Sequence, residues 1–415
     1  MATLASPPET SEWTEGMRYV ARQPILDLRG RVHAYELLFR AGPETAFRGD
    51  GEKATCTMLD NAVMFGLDTL SGGLPAFINC TAETLTEALV DVLPTTAVLE
   101  ILETVEPTPN LIATCRNLKA QGYRLALDDF VWEPKFEPLV ELADYIKVDF
   151  VLTGPEQRRK LFQRLRNRSI AMLAEKVETQ EEYRQAREEG FTLFQGYYFC
   201  RPALVTNRKI PANRLLHFEI LQLLQSGDID LQKAALLMKR TASLTYRLLR
   251  LVNSSAYAIR KQINSIPEAL LVVGEDAFRR IVTLAIASDL NGEQPLEILR
   301  MAFLRARFCE LASQRCGLNP GEQYLLGMFS MLPAMMMLPI EDLTPALPLR
   351  QEIQAALKGE PNAERLLLEW LEHHEQGDWA ACDTLVESNG LTEEEMIGFY
   401  RSALPWASAA LGSTV

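Results

Sequence analysis

Short apolar runs alternate with helix-spaced stretches through roughly the first half of the chain, and helix-spaced stretches alone fill the second. Runs rich in β-branched and aromatic residues predict strands over 19–25, 32–39, 76–79, 97–101, 124–128, 145–148, 170–174 and 193–199. The first two flank Asp27-Leu28-Arg29-Gly30, a turn signal short enough for a hairpin, so this pair is expected to be antiparallel. The later gaps carry helical spacing, as at 81–90 and at 110–121, where Gln121-Gly122 reads as a helix stop. A charged helix over 181–189 ends at Gly190. Strand-then-helix alternation of this kind predicts an α/β, TIM-like (β/α)8 barrel, modified at its first pair of strands.

After Arg201-Pro202 the pattern changes. Residues 1–17 read as a flexible start, 18–202 as the barrel, 203–213 as a linker and 214–410 as a separate helical domain. In that last part apolar residues recur at helical spacing over 215–225, 231–239, 244–253, 266–271, 277–290, 296–316, 322–337, 352–358, 363–376, 379–388 and 393–410. No internal period points to a solenoid.

Polar residues that close the apolar runs carry the candidate chemistry. They are Glu36, Asn79, Glu100, the pair Asp128-Asp129, Asp149 and Glu175. A parallel barrel brings its strand ends to one mouth, and carboxylate and amide oxygens gathered there bind hard divalent cations. Two such ions activate a water on one side of a phosphate and stabilise the leaving oxygen on the other. Asp128-Asp129 is a natural source of a ligand shared between them. Lys147 lies two residues before Asp149, hence on the same strand face, where it can orient a water or offset phosphate charge. Arg40, four residues after Glu36, suits a bidentate phosphate clamp. Singly, each acidic residue reads better as a helix cap or a solvated charge, and Lys147 could be a rim lysine; their joint arrangement reverses this and predicts a metal–phosphate site.

The motifs Glu36-x-Leu38-x-Arg40, Ile78-Asn79, Glu100-x-x-Glu103, Leu127-Asp128-Asp129-Phe130, Ile146-Lys147-Val148-Asp149, Ala174-Glu175-x-Val177-Glu178 and Gln195-Gly196-Tyr197 resemble, in this order, the signature of EAL domains. Arg22-Gln23-Pro24-Ile25 is similar to that family's opening strand. The resemblance covers roughly 18–202 and implies a modified (β/α)8 barrel that hydrolyses cyclic di-GMP to linear pGpG with Mg²⁺ or Mn²⁺. It implies Glu36, Asn79, Glu100, Asp128, Asp129 and Glu175 as metal ligands and Lys147 as the group that helps activate water. Glu178 and Gln195 would support the site, Glu103 would hold the loop after Asp129, and Gln23 and Arg40 would touch the dinucleotide. The sequence departs from the pattern at Leu37, where the family has Ala, and at Lys176, where it has Gly. It departs again at Val131-Trp132-Glu133, which stands for a Gly-Thr-Gly-like loop that positions the second metal and joins a homodimer interface in the family.

The second half is similar to HDOD domains, helical relatives of HD phosphohydrolases. The similarity rests on Leu248-x-x-Leu251-Val252-Asn253-Ser254, Ile263-Asn264-Ser265-Ile266-x-x-Ala269-Leu270, Gly274-x-x-x-Phe278-Arg279-Arg280 and Leu326-Gly327-Met328-Phe329-Ser330. An HD enzyme needs an adjacent His-Asp pair. The chain has 4 histidines and none precedes an Asp, so no hydrolase chemistry is expected here. His217 reads as a core residue. His373-His374 reads as part of a surface helix, because adjacent helical positions diverge by about 100°. The family implies protein–protein signalling.

Composition narrows these readings. An apolar fraction of 47% and a charged fraction of 23% are those of a globular protein long enough for two domains. The net charge of −13 argues against broad nucleic-acid binding, although 233–280 has a local basic excess and 234–252 the rhythm of a helix-turn-helix. The 7 cysteines form no C-x-x-C pair and read as reduced cytosolic thiols. No signal peptide or bilayer-spanning run is apparent, and Met335-Met336-Met337 reads as core filler, so a cytoplasmic location is expected. Three functions stay open: a cyclic di-GMP phosphodiesterase, a cyclic di-GMP binding or scaffold protein that signals through its helical half, and a nucleic-acid-associated regulator.

Overall fold

The structure, a computed structural model, describes residues 19–40, 67–86, 89–196, 198, 212–225, 233, 236–238, 244–245, 248–249, 252–253, 263–292 and 294–412. The expected flexible start (1–17) and most of the expected linker (203–211) lie outside them. Eight strands close into a barrel in chain order. They are β1 (Tyr19–Asp27), β2 (Val32–Arg40), β3 (Ala76–Cys80), β4 (Ala97–Ile101), β5 (Arg124–Leu127), β6 (Tyr145–Asp149), β7 (Ala171–Glu175) and β8 (Leu193–Gln195). The pairs β2–β3, β3–β4, β4–β5, β6–β7 and β7–β8 are parallel, whereas β1 runs antiparallel to β8. The modified barrel is therefore the fold, with its irregularity at the expected first strand.

The turn after β1 explains that reversal. The Asp27 carboxylate accepts the N–H groups of Arg29 (2.8 Å) and Arg31 (2.9 Å), and the Arg31 guanidinium donates to its other oxygen at 2.7 Å. Gly30 supplies the left-handed residue at φ +70°. At the other end of the sheet, β8 stops at Gln195, earlier than the expected 199. Gly196 leaves the extended conformation at φ +139°, and a Cβ there would fall 2.1 Å from the Val177 carbonyl oxygen. Only glycine fits this approach of backbone to backbone.

Packing groups the chain into two compact units, residues 1–23 with 35–144 and residues 24–34 with 145–415. The first holds β2 to β5 with the helix Pro109–Ala120, which is capped by Thr108 and led by Pro109. The second holds β6 to β8 and the helical half of the chain. Its helix Gln180–Glu189 begins with a Thr179–Glu182 capping box and ends on left-handed Gly190, as the sequence signals require.

In the helical half the described elements include Ala212–Gln225, Ile266–Val273, Glu275–Asn291, Leu296–Ser313, Pro320–Phe329, Leu332–Met336, Gln351–Leu357, Leu366–Gln376, Trp379–Ser388 and Glu393–Gly412. The expected single helix over 322–337 is two, because Pro333 lacks the N–H a continuous helix needs and sits in the first turn of the second. Helices Leu296–Ser313 and Pro320–Phe329 pack closely at Gly327, where a Cβ would lie 2.4 Å from the Arg305 carbonyl oxygen. Met335 is buried, as core filler should be, whereas Met336 and Met337 are half-buried.

His217 is fully buried on Ala212–Gln225, with Nδ1 3.7 Å from the Asp289 carboxylate, as expected of a core residue. The surface reading of His373-His374 needs correction. His374 is buried, stacked on Trp370 at 4.8 Å and edge-on to Tyr400 at 4.4 Å, while the neighbouring Glu375 is buried against Arg305. Only His373 reaches solvent. Of the basic residues noted between 233 and 280, Lys233 is exposed and Arg279 donates to Glu275; the other side chains lie outside those described. No helix among the described residues is long and apolar enough to cross a membrane.

Candidate active site

Parallel register brings the expected ligands of the first unit together. Asn79 on β3 stands opposite Glu100 on β4, and the Asn79 amide donates to Glu36, midway along β2, over 3.4 Å. Glu36 and Glu100 are buried. Asn79 is half-buried, and its Oδ1 is enclosed with no hydrogen-bond partner among the described residues. Beyond β5, the Asp128 N–H extends the sheet by donating to the Ile101 carbonyl at 3.0 Å. The Asp129 N–H then donates to Asp128 Oδ1 at 3.0 Å, and Asp129 adopts a left-handed φ of +38°. That turn keeps both carboxylates at the strand's end.

On β6 and β7 the charges interlock. Asp149 stands in register with Glu175, and both are buried. The ammonium of Lys147 lies 2.8 Å from Glu175, and that of Lys176 lies 2.6 Å from Asp149 Oδ2. Asp149 Oδ1 accepts the N–H groups of Leu152 (2.8 Å) and Val151 (2.9 Å). Burial raises the Asp149 carboxyl, but the Leu152 N–H, the Lys176 ammonium and the Val151 N–H outweigh it and hold the group below the ordinary carboxylate value. Lys176 reaches its partner from a left-handed backbone at φ +56°, which costs a residue other than glycine about 1–2 kcal/mol.

Carboxylate oxygens of Asp128, Asp129 and Glu175 lie within 4.8 Å of one another. Like charges this close, with Glu175 buried and the two aspartates half-buried, are costly unless a cation joins them. With the enclosed Asn79 Oδ1, the donor set is all oxygen, which fits a hard divalent cation rather than a thiolate-preferring one.

The remaining expected residues are more varied in placement. Gln195 is buried at the end of β8, and its backbone carbonyl accepts the Val177 N–H at 3.0 Å. Gln23 is half-buried on β1. Arg40 ends β2, but its side chain lies outside those described. Glu103 and Glu178 are exposed. Glu103 lines a cleft of about 250 Å³ with Asp128, Asp129, Phe130, Val131 and Glu133. The loop that departs from the family pattern thus walls a cleft beside the two aspartates. Val131 and Glu133 are exposed and Trp132 is half-buried.

Sequence reasoning placed Asp149 at the site but missed its pairing with Lys176. Nothing local signals that contact, because it depends on the register between strands 27 residues apart.

Comparison with known proteins identifies the family. The EAL domain model matches residues 75–202 and the HDOD domain model residues 210–377. The protein YuxH of Bacillus subtilis (strain 168) is 34% identical over 400 residues, covering 94% of this chain and 97% of the relative. The chain belongs to the EAL–HDOD family. A second relative is a protein named cyclic di-GMP phosphodiesterase CdgJ, of Vibrio cholerae serotype O1, 34% identical over 88% of this chain and 86% of its own. Among solved structures, the calcium and cyclic di-GMP complex of Klebsiella pneumoniae BlrP1 is 24% identical over 45% of this chain and 56% of its own, with a TM-score of 0.37. The matched EAL segment of this EAL–HDOD protein contains Asn79, Glu100, Asp128, Asp129, Lys147 and Glu175, while Gln23, Glu36 and Arg40 precede it.

Proposed function

We propose that this EAL–HDOD protein binds cyclic di-GMP at the barrel mouth with two divalent cations, Mg²⁺ or Mn²⁺, and hydrolyses it to pGpG. The closeness of the Asp128, Asp129 and Glu175 oxygens is the observation that carries this reading. The likeness, over 88% of this chain, to a protein named as a cyclic di-GMP phosphodiesterase supports the substrate. Glu36, Asn79, Glu100, Asp128, Asp129 and Glu175 would hold the cations, which when bound lower the pKa of water and neutralise phosphate charge. Lys147 neutralises Glu175 and fixes its direction. Gln23 and Arg40 contact the dinucleotide, Gln195 and Glu178 support the site, and Glu103 holds the loop beside Asp129. In the reaction a water oxygen joins one phosphorus as its bond to the 3′ oxygen breaks, and the water's proton ends on that 3′ oxygen.

The HDOD half passes the state of the barrel to a protein partner in the cytoplasm. Its exposed Leu271 and Val272 on Ile266–Val273 suit such a contact better than nucleic acid, as does the net charge of −13. A homodimer through the loop after Asp129 is consistent with exposed Val131.

A second reading, binding without turnover, is favoured by Val131-Trp132-Glu133, since Val and Trp lack the backbone freedom of the glycines that the EAL pattern carries there. Purified full-length protein incubated with cyclic di-GMP and Mn²⁺, with products resolved by chromatography, separates the two. The expected result is pGpG that disappears when the metal is chelated. Calorimetric binding without product would select the second reading, and neither binding nor product would overturn both.

A further inference from the structure

On β6 and β7 two buried carboxylates, Asp149 and Glu175, face each other in register, and each is met by a lysine from the opposite strand segment. The two are not equivalent. Asp149 is fully committed, with Oδ1 taking the N–H groups of Val151 and Leu152 and Oδ2 taking the Lys176 ammonium. Glu175 meets Lys147 through Oε1 and also offers an oxygen to the group formed with Asp128 and Asp129. Lys176 directly follows Glu175 in sequence and holds a left-handed backbone that glycine would adopt without strain. A strained residue kept beside a site is an observation from which function can be inferred. Its side chain is more than half exposed, so burial does not explain its retention.

Resting on the metal-site reading above, we propose that Lys176 is a positioning residue: its ammonium is a built-in counter-cation that occupies Asp149 and so withholds that carboxylate from the metal site. Without Lys176, Asp149 would keep its backbone N–H partners on Oδ1 but present Oδ2, in register beside Glu175, to an incoming cation. The site would then be more negative by one charge and would grip divalent ions more tightly, while Glu175 keeps its pairing with Lys147.

The test is titration of Mn²⁺ alone into the full-length protein by calorimetry, without nucleotide, for the wild type, Lys176→Gln, Lys176→Arg and the double variant Lys176→Gln with Asp149→Asn. Lys176→Gln should bind Mn²⁺ about tenfold more tightly, the scale on which groups behind metal ligands tune affinity. Lys176→Arg, which keeps the charge, should stay near wild type. Removing the Asp149 charge as well should cancel the gain, a non-additivity that a merely structural lysine would not produce. Wild-type affinity in a folded Lys176→Gln protein would overturn the proposal while leaving the metal site standing. Absence of Mn²⁺ binding in the wild type would overturn the metal site and this proposal together.

Discussion

Replacing Glu36 by alanine should lower cyclic di-GMP turnover by at least about 100-fold, a floor set by what is lost when groups merely supporting a metal ligand are removed. Glu36 is a buried carboxylate midway along β2, held towards β3 by the Asn79 amide at 3.4 Å. Alanine there removes an oxygen donor and fills none of the space. It also removes one of several buried negative charges, so thermal stability without metal should hold or rise slightly, which separates a catalytic loss from a folding one. Steady-state rates with saturating Mn²⁺, paired with melting curves, read both effects. Turnover of the variant within a few-fold of wild type, in a protein that melts normally, would remove Glu36 from the site.

The second large effect is on stability and lies in the helical half. Arg305, on Leu296–Ser313, donates to both oxygens of Glu375, on Leu366–Gln376, at 2.6 and 3.2 Å, and to Ser330 Oγ at 3.1 Å. Arg305 and Glu375 are both buried. Arg305→Ala would strand the Glu375 carboxylate in the core and should cost about 3–5 kcal/mol, whereas Arg305→Met with Glu375→Leu should come close to neutral, since apolar packing can replace a buried ion pair. Denaturant unfolding of the full chain measures this. A single variant that loses less than about 1 kcal/mol would show that the pair is more hydrated than its burial indicates.

Much of this molecule is written locally. The strand runs are apolar and bounded by turn residues, so β3, β4 and β6 fall within a residue or two of their expected ends. The hairpin after β1 follows from Asp27 and Gly30, whose roles need only a few residues of context. The acidic motifs could be grouped as one candidate site because parallel strands place chain-distant ends at one mouth, while their individual roles came from the resemblance to EAL domains.

What escaped sequence reading depends on pairing across the fold. Lys176 meets Asp149 because β6 and β7 align Asp149 with Glu175, a register no single segment specifies. The histidines of Leu366–Gln376 were misjudged by attending to their adjacency. The spacing of Leu367, Trp370, Leu371 and His374 already traces one apolar stripe, and it puts His374 inside. Pro333 likewise announced the break within 322–337, which apolar periodicity alone ran across.

The central claim is convergence of the strand-end oxygens on shared cations, and anomalous diffraction from crystals grown with Mn²⁺ tests it most directly. Two neighbouring manganese peaks are expected, with the Asp128-Asp129 pair supplying a shared ligand and Glu36, Asn79, Glu100 and Glu175 completing the oxygen shells. Ordered protein at saturating Mn²⁺ with no peak among these residues, or with Glu36 and Glu100 turned away from an ion held by Asp128, would contradict it.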